Sequence, residues 1–98
     1  MPKSSKISST LSPQQSRAAR GWLGWSQDEL AKQANVALRT IASFERGEQI
    51  PRPNNIAAMK HAIEGAGVRL LFDQYGQPAG VASAGTTGEL SRAAHFHE

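Results

Sequence analysis

The sequence predicts a small all-α fold: short helices packed as one bundle, followed by a short β-strand or hairpin. Three observations predict it. Helix-start signals recur at Ser12-Pro13, at Ser26 and near Asn54, and residues that tolerate left-handed backbone close the intervals. Apolar residues between those signals return at helical spacing, as Ile56, Met59 and Ile63 do. Only Val68-Arg69-Leu70-Leu71-Phe72 reads as β-prone, and turn residues follow it.

Each element has its own local reason. Residues 1–10 are rich in Ser, Thr and Lys without apolar periodicity, and read as a flexible basic arm. Ser12 is a good N-cap, Pro13 suits the first helical position, and Gln15 completes a capping box. The first helix is expected from Pro13 to Leu23, with Gly24 as its left-handed stop. Ser26 and Glu29 form a second such box, opening a helix from Gln27 to Ala34. Asn35-Val36-Ala37 is the only break before a third helix from Leu38 to Glu45, which stops at Gly47. Ile50-Pro51-Arg52-Pro53 is expected to be extended. A fourth helix should begin near Asn54, capped by Asn54 or Asn55, and end at Gly65 or Gly67. The helical domain therefore covers 11–67 and the strand or hairpin 68–82, with Val81 in the return strand. Residues 83–98 read as a disordered tail.

Composition narrows the function classes. The chain has 98 residues and no cysteine, which excludes disulfides, thiolate catalysis and cysteine-ligated zinc. No apolar stretch approaches the ~20 residues needed to span a bilayer. The N-terminus lacks the apolar core of a secretory signal. A cytoplasmic protein with no membrane association is expected. The net charge is +3, unevenly spread: residues 1–25 carry Lys3, Lys6, Arg17 and Arg20 and no acid. A basic N-terminal quarter suits a polyanionic partner.

The spacing of the second and third helices carries the functional argument. Counting from Gln27, Ala31 lies four residues on, Asn35 eight, Val36 nine, Ile41 fourteen and Phe44 seventeen. A helix-turn-helix needs a small residue where the helices cross, a residue tolerant of positive φ in the turn, and apolar residues locking the pair. All five positions comply.

Trp25-Ser26-Gln27-Asp28-Glu29-Leu30-Ala31, followed by Val36, Thr40-Ile41 and Phe44-Glu45-Arg46-Gly47-Glu48, resembles the Cro/repressor-type (XRE-like) regulators of bacteria and phages. The resemblance covers roughly residues 11–67. It implies a lambda repressor-like bundle of four to five helices, a homodimer, and operator binding that represses or activates transcription. Two positions depart from the pattern: Ala37 stands where Ser or Thr usually caps the third helix, and Asn35 where Gly is commoner.

With Ile41 turned inward, Arg39, Ala42 and Arg46 project almost opposite and Ser43 flanks them. Arg39 is the best base reader, since a guanidinium forks onto guanine. Ala42 suits a thymine methyl, and Ser43 either partner. Leu38 lies sideways, where the family also makes base contacts. The resemblance further implies that Gln27 bonds a backbone phosphate, a role a helix N-terminus favours in any case. Arg17, Thr40, Arg46 and Arg52 are further phosphate candidates, and Lys3 and Lys6 are arm residues placed to reach DNA. It also implies a structural pair between Arg20 and Glu45, tying the first helix to the third.

Val68, Leu70, Leu71 and Phe72 exceed the apolar needs of so small a domain, so Val68, Leu70 and Phe72 are expected to share a dimerisation face. His95-Phe96-His97-Glu98 has metal-ligand types but no supporting ligands, and Asp73 has no assignable partner. No cofactor, metal or catalytic grouping is expected. Double-stranded DNA is the expected partner. The alternative is an antitoxin or other protein-binding module that uses its C-terminal segment on a protein partner.

Overall fold

The computed structural model describes residues 10–84. The chain forms α1 (Pro13–Leu23), α2 (Gln27–Ala34), α3 (Leu38–Glu45), α4 (Pro53–Gly65), β1 (Val68–Phe72) and β2 (Pro78–Ser83). The predicted bounds of the first three helices hold. Ser12 Oγ accepts the Gln15 amide and Gln15 Oε1 accepts the Ser12 amide, both at 3.1 Å, so the first capping box is complete. Gly24 closes α1 at φ 73°.

The second box forms only half. Ser26 Oγ accepts the Glu29 amide at 2.9 Å. The Glu29 carboxylate instead accepts from Gln33 Nε2 at 2.7 Å and lies 3.9 Å from Lys32 Nζ. A cation and an amide one turn ahead outcompete a backward reach. Ala37 leaves α3 without a side-chain cap, as its missing hydroxyl requires. The start of α4 differs from expectation. Neither Asn54 nor Asn55 caps it; Arg52 occupies the cap and Pro53 the first helical position. Proline's fixed φ and absent N–H suit that first turn, and the Arg52 carbonyl accepts the amides of Asn55 and Ile56.

Leu30, Ile41, Met59 and Ile63 form the centre of the core, with Ala19, Ala34, Val36 and Phe44 around them. The strands pair antiparallel, with Leu70 opposite Val81 and an irregularity between Leu71 and Phe72. The return strand runs one residue further than expected, through Ser83, and the Ala84 amide donates to the Gly67 carbonyl. Asp73 does have partners. Its Oδ1 accepts the amides of Tyr75 (2.8 Å) and Gln77 (3.0 Å), closing the hairpin turn.

The hairpin corrects the expected dimerisation face. Val68 is 0% exposed and Leu70 6%, both within the protomer's core, and Phe72 packs half-buried against it. Strand alternation turns all three toward the helices, so their apolar area is spent inside one chain. Gln15 fastens the arrangement. Its buried Nε2 donates to the carbonyls of Leu71 (2.8 Å) and Gly80 (3.1 Å), which pair with each other across the strands beside the irregularity.

Candidate nucleic-acid interface

The turn between α2 and α3 is built as the spacing requires. Asn35 holds φ 58° and ψ 47°, the left-handed conformation, and the Val36 amide donates to the Ala31 carbonyl at 3.0 Å. Val36, Ile41 and Phe44 are buried, and half-buried Ala31 packs against the same cluster. The inward face of α3 is thereby committed to the core. Its opposite face is open: Arg39 and Arg46 are exposed, and Leu38, to the side of it, is 45% exposed. Thr40, Ala42 and Ser43 are half-buried, on the flanks of that face rather than at its crest.

Behind α3 lies a buried carboxylate with four side-chain hydrogen bonds. Glu45 is 4% exposed. Arg20 donates to it through Nε (3.0 Å) and Nη2 (2.8 Å). Ser16 Oγ donates at 2.5 Å and Gln27 Nε2 at 3.1 Å. Burial alone would push the Glu45 carboxyl up. Hydrogen bonds from Arg20, Ser16 and Gln27, with the Arg20 charge, outweigh burial and hold it below its ordinary value. The hydrogen bond to Glu45 raises Arg20 in turn, against its own burial. Arg20 Nη1 also donates to the Trp25 carbonyl at 3.1 Å, so one guanidinium spans α1, the α1–α2 turn and α3.

The cationic candidates divide by their partners. Arg17 donates through Nη1 to the Glu45 carbonyl, at the end of α3. That contact suits the negative end of a helix. Arg46 forks onto Glu48 with both bonds at 2.9 Å, which raises Arg46 and lowers Glu48. Arg39 and Arg52 are exposed and enter none of the salt bridges among the described residues. Lys3 and Lys6, and the run from His95 to Glu98, lie outside the described residues.

The helix-turn-helix family model matches residues 17–63. Those residues are a DNA-binding helix-turn-helix domain of the Cro/XRE type. No curated protein matches the chain. The helix-turn-helix domain places Gln27 at the first position of α2 and gathers Leu38, Arg39, Ala42 and Ser43 on α3. Arg20 and Glu45 are paired inside it. Three contacts escaped sequence reasoning: Ser16 on Glu45, Gln27 on Glu45, and Gln15 on the hairpin. Ser16 was within reach of that reasoning, since it lies four residues before Arg20 and so on the same face of α1. Gln15 was not, because its partners are backbone carbonyls more than fifty residues away.

Proposed function

We propose that this chain is a sequence-specific transcriptional regulator that binds a pseudo-palindromic operator as a homodimer, with α3 in the major groove. One observation carries the reading: α3 is locked to the core along one side and presents exposed Arg39 along the other, with exposed Leu38 at the edge. A recognition helix works in this way, rigid behind and polar in front. Arg39 is the principal base reader, with Ser43, Ala42 and Leu38 supplying secondary contacts at the groove floor. Gln27 contributes its amide at the start of α2, and its side chain can bond a phosphate with the N–H not given to Glu45. Thr40, Arg17, Arg46 and Arg52 hold the flanking backbone, the two paired arginines exchanging or sharing their present partners.

Footprinting the chain on DNA upstream of its own gene tests the reading directly. A protected site with two-fold symmetry is the expected result, and uniform weak protection would overturn it. The antitoxin-like alternative is less favoured, because the described hairpin spends its apolar face on the protomer core.

A further inference from the structure

We infer that Glu45 is a positioning residue for DNA binding: its buried carboxylate fixes the Gln27 carboxamide in the orientation that meets a backbone phosphate. This role rests on the proposed phosphate contact of Gln27 and accounts for how that contact is prepared before DNA arrives.

The acceptor that Gln27 meets is immobile. Oε2 of Glu45 accepts Ser16 Oγ and Arg20 Nε, while Oε1 accepts Arg20 Nη2 at 2.8 Å and Gln27 Nε2 at 3.1 Å. A carboxylate offers about four lone-pair sites, so the set is full. The fork of Arg20 fixes the carboxylate plane. Arg17 donates to the Glu45 backbone carbonyl, so main chain and side chain of Glu45 are both tied to α1.

The same network holds the backbone that leads into Gln27. Arg20 Nη1 donates to the Trp25 carbonyl at 3.1 Å, and the Trp25 amide donates to the Arg20 carbonyl at 2.9 Å. Ser26 then caps α2, and half-buried Gln27 takes its first position, where an amide has no acceptor within the helix. With one Nε2 hydrogen committed to Glu45, the second is left for phosphate. A glutamine free in solvent would surrender rotamer freedom on binding, whereas this one has surrendered it on folding. A bare Glu45 charge would repel the incoming phosphate; its pairing with Arg20 cancels that field.

A phosphate contact is indifferent to sequence, so the probe is a short duplex of arbitrary sequence at low salt, titrated with full-length chains. Gln27→Ala is expected to bind it about tenfold more weakly. Glu45→Met alone strands a charged Arg20 and destabilises the fold. The companion chain therefore carries Arg20→Met with Glu45→Met, since exchanging a buried ion pair for apolar residues of like size preserves stability. It also leaves the net charge unchanged. This paired variant should show the same loss as Gln27→Ala, and adding Gln27→Ala to it should cost nothing more. Losses that multiply, to about a hundredfold in the triple variant, would show Gln27 acting without Glu45 and overturn the positioning role. Ser16→Ala removes one bond to Glu45 without touching Arg20 or Gln27. It should lower the melting temperature yet keep duplex affinity within about twofold. A loss as large as that of the paired variant would tie affinity to stability alone and overturn the role as well. Gln27→Ala binding like wild type would overturn both this role and the phosphate contact beneath it. A footprint without two-fold symmetry would count against the operator reading alone, leaving the coupling of Gln27 to Glu45 in place.

Discussion

Arg39 and Gln27 are both polar residues of the helix-turn-helix, yet their loss should register differently. Arg39→Ala should cost about 1–3 kcal/mol in specific binding and relax base preference at one position per half-site. Binding to a panel of operator variants checks this, and unchanged discrimination would remove Arg39 as a reader. Gln27→Ala should weaken specific and non-specific DNA alike, because a phosphate carries no sequence. Glu45 makes a third residue-scale prediction. Its carboxyl is held below its ordinary value in the folded chain, so its contribution to stability is fully present above the unfolded value, ~4.3. That contribution is lost as pH falls through the folded value. The urea midpoint should therefore decline below about pH 5, and Glu45→Gln should start lower and decline less. Arg20→Ala orphans the same buried carboxylate and should cost about 3 kcal/mol, lowering Tm by more than about 10 °C.

At the scale of elements, the hairpin is the part whose role changed most between sequence and structure. A two-stranded hairpin is marginal alone, which made partnering with a second chain a reasonable expectation. The protomer solves the problem internally by burying Val68 and Leu70 and by bonding the Gln15 amide to two strand carbonyls. Gln15→Met keeps the volume and removes those donors, leaving carbonyls short of partners at about 1–3 kcal/mol. Amides of β1 and β2 should then exchange faster relative to those of α2 and α3, as hydrogen-exchange NMR would show. Equal protection would mean that the apolar face alone holds the hairpin. Helix bounds were legible because caps and stops are local: Ser12, Gly24, Ser26 and Asn35 act within four residues of themselves. The start of α4 was misread because two asparagines imitate caps, while Pro53 had already met the first-turn requirement.

For the whole molecule, charge is the property that sequence and function share most directly. Lys3 and Lys6 precede the helical domain, and deleting residues 1–10 should reduce the salt slope of log K by up to about 2 per protomer. Titrations at several salt concentrations would measure it, and an identical slope would leave those lysines without a part in binding. By itself the sequence determined the helix-turn-helix: its spacing from Gln27 to Phe44, the left-handed Asn35 and the outward Arg39 all follow from helical periodicity and local backbone preference. Tertiary structure alone decided where the long-range partners lie. Which side chains complete the cage around Glu45, which carbonyls Gln15 serves and which face the hairpin buries depend on how elements pack across tens of residues. Periodicity names the apolar face of a strand, but only packing says whether that face meets its own helices or a second chain.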